Sequence, residues 1–233
     1  GKNYNWNNVS SSFNRRYGSI GYDYGWAAAY SPFDQGIVLT GEISSALFGQ
    51  SDLWVIKTDD RGLLQWEKRF GGNGNEVGYD VISTSDGSFL LVGYSWSFGN
   101  SQQVYVIKID ASGERIWEKT FGGTMWDVGN AVIELVSGGY LIAGYSNSPG
   151  ISSGNTDMFL IKIDKNGNKI WQNAYGNQAF PNHEWAYDLI ETNNGEIILV
   201  GSRDRYEKGS MNGLIYRLDS EGNKIWEKEL IDN

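Results

Sequence analysis

Two acidic residues, Asp80 and Asp188, are the side chains of this sequence best suited to catalysis or metal binding. They occupy equivalent positions in two copies of an internal repeat, whereas the other two copies carry Ala27 and Ala131 there. Paired carboxylates share a proton, bind a hard cation, or act as acid and base. In a ring of four repeats the second and fourth copies face each other. Asp80 and Asp188 then either meet across the axis, where they would bind calcium, or point away into their own loops.

Other chemistry is limited by composition. The chain of 233 residues has no cysteine, which excludes disulfides and thiolate metal sites. Its one histidine, His183, lies in the loop AFPNHEW without a Ser-His-Asp pattern nearby, which favours a surface role over catalysis. A net charge of -9 argues against nucleic-acid binding. No apolar run of about 18 residues occurs, so membrane insertion is not expected.

A second group of candidate residues consists of aromatic and polar side chains in long loops that differ between the copies. The predicted ligand-binding residues are Trp96, Phe98, Trp126, Phe180, His183, Arg205 and Tyr206, with Tyr22, Tyr24 and Phe48 in the same loop set. Aromatic rings stack on sugar C–H faces while amides and hydroxyls bind sugar hydroxyls. A protein partner would use the same residue types. Alternatively, single aromatic residues pin their own loops.

These residues are carried by a repeat of about 53 residues. Its clearest marker is a tryptophan that follows an aspartate and a glycine, as in YVIKIDASGERIW (105–117) and FLIKIDKNGNKIW (159–171). Each copy holds four short apolar runs separated by glycine turns, and none shows a helical period. Four antiparallel strands per repeat of this length are typical of a β-propeller blade. We therefore predict an all-β propeller of four four-stranded blades.

The repeat resembles a known family of sequences. The pattern GGYLIAGYS followed by FLIKID, glycine, tryptophan and FGG resembles the tandem propeller repeats of secreted bacterial and archaeal proteins, and it is similar to PQQ-like propellers. The resemblance implies an extracellular, periplasmic or cell-surface location. It is specific for fold and not for function, because such repeats occur in proteins of many roles. The additional elements of a quinone-dependent dehydrogenase are not found.

The repeats fill a single predicted domain, 1–233. Its blades are expected at about 19–70, 71–121, 122–175 and 176–230. A further outer strand is expected at 11–18, because Phe13 and Tyr17 have the spacing of Trp117 and Phe121. This strand either joins the last blade, marks part of a larger ring, or reflects two combining chains. We favour one closed four-blade ring, present as a monomer or as a homo-oligomer that completes a blade.

Two repeated positions are interpreted as structural. The tryptophans Trp66, Trp117, Trp171 and Trp226 are expected to fill the gap between adjacent sheets. The acidic residues Asp23, Glu76, Asp127 and Glu184 either form a ring at one mouth of the channel or tie the segment before their own strand, and we favour the second. The sequence thus predicts a secreted, non-enzymatic recognition module for a glycan or a protein. The alternatives are a carbohydrate-active hydrolase or lyase with carboxylates on the axis, or a structural spacer.

Overall fold

The computed structural model describes residues 16–44, 50–152, 155–176, 182–205 and 210–230, and of Arg205 only the backbone. These residues contain sixteen strands and no helix. Several predicted features lie outside the described residues: Phe48, Phe180, Tyr206, the side chain of Arg205 and most of the predicted strand at 11–18.

The strands form four separate antiparallel sheets of four, each in chain order. Blade 1 contains β1 (Asp23–Tyr30), β2 (Ile37–Ser44), β3 (Ser51–Thr58) and β4 (Leu64–Phe70). Blade 2 contains β5 (Glu76–Ser83), β6 (Phe89–Ser95), β7 (Gln103–Ile109) and β8 (Arg115–Phe121). Blade 3 contains β9 (Asp127–Glu134), β10 (Tyr140–Ser146), β11 (Asp157–Ile163) and β12 (Lys169–Tyr175). Blade 4 contains β13 (His183–Glu191), β14 (Ile197–Arg205), β15 (Ser210–Leu218) and β16 (Lys224–Leu230). The predicted all-β propeller of four blades is confirmed.

The repeated aspartate and glycine build the turn between the third strand and the fourth, or rim, strand. In blade 2 Asp110 Oδ1 accepts the backbone N–H groups of Ser112 and Glu114, each at 2.9 Å. Gly113 has a φ of 83°, which glycine adopts without strain. The same carboxylate-to-backbone bonds recur at Asp59, Asp164 and Asp219. The short turns therefore fix the register of the outer hairpins.

Consecutive blades pack face to face through apolar side chains. We call the face of a blade that points toward the next blade its trailing face, and the opposite face its leading face. Between blades 2 and 3, Val92 and Val104 of the trailing face share a buried cluster with Ile142 and Phe159 of the leading face. The first, or inner, strand of each blade contributes to these contacts, and the inner strands of neighbouring blades touch. The core is thus divided among the blade interfaces.

The repeated tryptophans join each blade to the next. Trp66 Nε1 donates to the Ala111 carbonyl at 3.1 Å, and Trp117 Nε1 donates to the Lys165 carbonyl at 3.2 Å. Both rings, and that of Trp171, pack against the buried interface clusters. The expected role between sheets is confirmed for these three. Trp226 differs, because it is 40% exposed.

The favoured closed ring is wrong for the described residues. No strands of blades 1 and 4 pack together as those of consecutive blades do. At blade 1 the Tyr17 hydroxyl donates to the Gly62 carbonyl just as the Tyr175 hydroxyl donates to the Gly222 carbonyl. Tyr17 thus occupies the place of a rim-strand aromatic from a preceding blade, although 16–18 is not in a strand. The four blades form an open propeller.

Candidate ligand-binding site

A β-bulge interrupts each inner strand at the same place. The strand pairing shifts between Gly25 and Ala27, and equivalent shifts occur in the other three blades. The inserted residues are Trp26, Tyr79, Asn130 and Tyr187. A bulge leaves its extra residue unpaired and redirects the side chain. Because neighbouring inner strands touch, the four residues form a row across the blades.

Aromatic rings extend this row into a cluster. Trp26 meets Tyr79 edge-on with ring centroids 5.4 Å apart, and Tyr24 stacks on Trp26 at 6.1 Å. Tyr79 also contacts Tyr94 of the second strand, at 5.7 Å. The bulge cluster, as we call it, consists of Tyr24, Trp26, Tyr79, Tyr94, Asn130, Tyr145 and Tyr187. It draws side chains from all four blades.

The bulge cluster presents both exposed rings and polar groups. Trp26, Tyr24 and Tyr187 are each about half exposed. Burial raises the pKa of Tyr79 and Tyr94, and the nearby Glu42 carboxylate raises both further. These phenols therefore stay protonated at neutral pH and act as neutral hydrogen-bonding groups.

The polar members of the cluster are held in place by neighbouring groups. The Tyr187 hydroxyl lies 3.0 Å from Ser202 Oγ, and Asn130 Nδ2 donates to the Ala186 carbonyl at 2.7 Å. Burial raises the pKa of Tyr145, and Tyr187 adds to that effect. The cluster is therefore positioned by contacts across blades 3 and 4.

Three of the predicted loop residues lie next to this cluster in the chain. Trp96 follows Tyr94 by two residues, and the backbone N–H of Trp96 donates to the Asn75 carbonyl at 3.0 Å. The backbone N–H of Trp126 donates to Asn147 Oδ1 at 2.7 Å. Trp96 and Trp126 are 42% and 53% exposed. Phe98 instead packs on Tyr105 at 5.2 Å. Binding by these three side chains stays a prediction.

His183 has a local structural role. Its Nδ1 accepts the Thr156 backbone N–H at 3.2 Å, and its ring stacks on Trp185 at 5.8 Å. These contacts tie the start of β13 to the segment before β11. Arg205 ends β14, where its backbone pairs with Ser210.

The Asp80 carboxylate clasps two blades together. Asp80 Oδ2 accepts the Val132 N–H of blade 3 at 2.9 Å, and Oδ1 accepts the Val81 N–H at 2.8 Å. Burial raises the pKa of Asp80 to about 6, and the negative charge of Asp188 adds to the effect. Asp188 is exposed and binds the Leu189 N–H at 2.8 Å. Within the described ranges no group of three or more acidic or histidine side chains could hold a metal. The calcium site at Asp80 and Asp188 stays a prediction.

The repeated acidic residues tie the segments before their own strands, as the favoured interpretation predicts. Glu76 Oε2 accepts the Gly72 N–H at 2.9 Å, and Asp127 Oδ2 accepts the Gly123 N–H at 2.8 Å. Asp23 binds Ser19 in the same way. They are therefore used as structural ties.

Blade 4 is the exception to this pattern. Glu184 is fully buried and pairs with Arg203 Nε at 2.8 Å. Burial raises the pKa of Glu184 to about 7, against the opposing effect of Arg203. The guanidinium also reaches Glu229 and Glu227, at 3.3 and 3.4 Å. Glu184 and Arg203 are buried, whereas Glu227 at the edge of this ionic network is exposed.

Trp26, Tyr79, Asn130 and Tyr187 were not predicted as site residues from the sequence. A signal was present, because three of these four equivalent positions carry large aromatic residues. Of the cluster, only Tyr24 had been included in the predicted binding face.

No family model matches the chain. It is 25% identical over 180 residues to "Regulatory protein FlaEY" of Caulobacter vibrioides, a match that covers 67% of this chain but only 18% of that protein. No helix in the described residues is long and apolar enough to span a membrane.

Among solved structures, the chain is similar to an N11 neuraminidase-like protein of A/flat-faced bat/Peru/033/2010 (H18N11), with 14% identity and a TM-score of 0.44. That match covers 87% of this chain and 51% of the other. Sqt1 from Chaetomium thermophilum matches with 9% identity and a TM-score of 0.39, over 91% of this chain and 62% of the other. A eukaryotic initiation factor matches with 11% identity and a TM-score of 0.40, over 88% of this chain and 55% of the other. The chain thus spans half to two thirds of these structures.

Proposed function

We propose that this protein is a glycan-binding module that uses the bulge cluster as its ligand site. The observation that carries the proposal is the row of bulge residues, in which Trp26 and Tyr187 expose aromatic rings while Asn130 and the phenols supply polar groups. Propellers are widely used as rigid platforms for recognition, and four blades here contribute to one surface.

The chemistry of the cluster suits a sugar. Trp26 and Tyr24 stack on each other and are each about half exposed, so a part of this aromatic pair that the stacking leaves open can contact the C–H face of a pyranose ring. Sugar hydroxyls need both donors and acceptors. Neutral tyrosine hydroxyls provide both, and the Glu42 carboxylate is an acceptor beside them. Trp96 and Trp126 would extend the surface toward a longer chain of sugars.

Binding is proposed in preference to catalysis because two acidic groups whose pKa values are raised to about 6 and about 7, Asp80 and Glu184, are already engaged. Asp80 uses both of its oxygens for backbone N–H groups, and Glu184 is enclosed with Arg203. A glycosidase needs two carboxyl groups that reach the bond being cleaved. An extracellular, periplasmic or cell-surface location is part of the proposal and rests on the sequence resemblance alone.

A glycan array probed with the labelled protein tests the proposal, with a parallel hydrolysis assay on every glycan that binds. We expect binding to a limited set of glycans without cleavage. Binding without cleavage that is unchanged in Trp26→Ala would place the site elsewhere. Release of reducing ends would favour the enzyme alternative, and absence of any glycan binding would contradict the proposal.

A further inference from the structure

The trailing face of blade 4 is apolar and uncovered. Ile198 and Val200 are half-buried on it, whereas the equivalent Leu90 and Val92 of blade 2 are completely buried. Ile190 on β13 and Leu230 on β16 are more than 50% exposed. In blades 1, 2 and 3 this face is covered by the next blade. Blade 4 therefore presents half of an interface that the chain makes three times.

The leading face of blade 1 has a matching gap. A Cβ added at Gly129 would collide with Val92 of the preceding blade, but one added at Gly25 meets nothing within 4 Å. An apolar pocket lies over Gly25 and extends to Tyr17; it is lined also by Leu39, Thr40, Trp54 and Ile56. Tyr17 covers the side of this pocket nearest the rim strand. Over Gly25, no residue takes the place of Val92, which fills the equivalent space over Gly129 in blade 3.

Hydrogen-bonding groups on the two faces are also unused. Trp117 Nε1 donates to the Lys165 carbonyl of the next blade, but the equivalent Trp226 Nε1 makes no hydrogen bond within the described part of the chain. The blade 1 residue equivalent to Lys165 is Asp60. Asp188 is equivalent to Asp80, which binds the Val132 N–H, and Ala28 is equivalent to Val132. Ala28 is exposed, whereas Val132 is 2% exposed.

We propose that blade 4 of one copy of this chain docks head to tail on blade 1 of a second copy. In this contact Val200 fills the space over Gly25 of the partner copy. Trp226 then reaches the Asp60 carbonyl, and Asp188 accepts the Ala28 N–H. A second copy is the occupant because its blade 1 presents a leading face. Within the chain, the equivalents of Val200, Trp226 and Asp188 are Val92, Trp117 and Asp80, and each of these contacts the leading face of blade 3. Such a heterologous contact forms a closed ring or an open chain of copies.

Engineered disulfides test this proposal, since the chain has no cysteine of its own. Gly25→Cys and Val200→Cys are made as separate proteins and mixed under oxidising conditions. We expect a disulfide between the two variants in yields well above those of either variant alone. Val92→Cys combined with Gly129→Cys is the internal control, since these residues meet between blades 2 and 3 and should form a bond within one chain.

The alternative occupants give different results. A Gly25→Cys/Val200→Cys double variant that forms its disulfide only within one chain would show that blade 4 closes on its own blade 1, which overturns the proposal. Sedimentation velocity provides a measurement without cysteines: we expect the wild type to associate as concentration rises and Val200→Asp to associate at least tenfold more weakly. A wild type that stays monomeric throughout the concentration series overturns the proposal as well.

Discussion

Replacement of Asp80 by asparagine is expected to change the pH dependence of stability. Burial raises the pKa of Asp80 to about 6 in the folded protein, from an ordinary value of 3.8. The folded state therefore holds this proton more tightly than the unfolded chain does. Ionisation of Asp80 consequently costs folding free energy as the pH rises from about 4 to about 6, and the full cost remains above that range.

The expected size of the effect follows from the pKa difference. A rise of about two pKa units corresponds to roughly 3 kcal/mol. The amide introduced by Asp80→Asn cannot ionise, and its one acceptor oxygen keeps only one of the two N–H bonds of Asp80, at a cost of about 1 kcal/mol at every pH. The stability of Asp80→Asn relative to the wild type should therefore improve by roughly 3 kcal/mol between about pH 4 and about pH 7.

Urea unfolding followed by tryptophan fluorescence at the two pH values measures this difference. Asp188→Asn is the matched control for loss of a charge, because it removes an exposed carboxylate from the equivalent position of blade 4 and should change stability at neutral pH by less than about 0.5 kcal/mol. Unfolding free energies of Asp80→Asn and wild type that stay parallel between the two pH values would refute the interpretation that burial raises the pKa of Asp80.

Two further predictions concern the blade interfaces and the calcium hypothesis. Trp117→Ala should lower the unfolding free energy by about 3–5 kcal/mol, because its ring packs on blade 3, whereas Trp226→Ala should cost less than about 1 kcal/mol in dilute protein; equal losses would contradict the assignment of blade 4 as uncovered. If Asp80 and Asp188 bind calcium, added calcium raises the melting temperature of the wild type but not that of Asp80→Ala. A wild-type melting temperature that changes with neither added calcium nor chelator contradicts the cation site.

Much of the fold could be predicted because the copies of the repeat can be compared with one another. The recurring aspartate, glycine and tryptophan indicate one turn and one packing position, and Asp110, Gly113 and Trp117 show why each residue type is needed. These are local requirements, met within one hairpin or between two adjacent blades. Comparison of the copies therefore gave the strand number, the order and the role of the repeated residues.

Ring closure could not be predicted in this way. Whether blade 4 reaches blade 1 depends on the angle between successive sheets, which accumulates from many small packing contacts. That angle is not visible as a pattern in the sequence. The spacing of Phe13 and Tyr17 indicated a rim strand but left open which blade the strand joins.

The candidate site was hidden for a different reason. Trp26 and Tyr79 belong together because a one-residue bulge shifts the strand pairing, and a shift of one residue reverses which side chains share a face. Strict alternation along the strand would assign these residues incorrectly. The adjacent Asp80, predicted as a ligand or metal residue, joins two blades instead.

Calorimetric titration with the glycan that binds most strongly on the array tests the central claim most directly. Trp26→Ala should weaken binding by about 1–3 kcal/mol, which is roughly a fivefold to 150-fold loss of affinity. Trp226→Ala removes an equally large exposed ring away from the bulge cluster and should bind as the wild type does. Equal affinities of wild type and Trp26→Ala, or a loss confined to Trp226→Ala, would contradict the assignment of the bulge cluster as the ligand site.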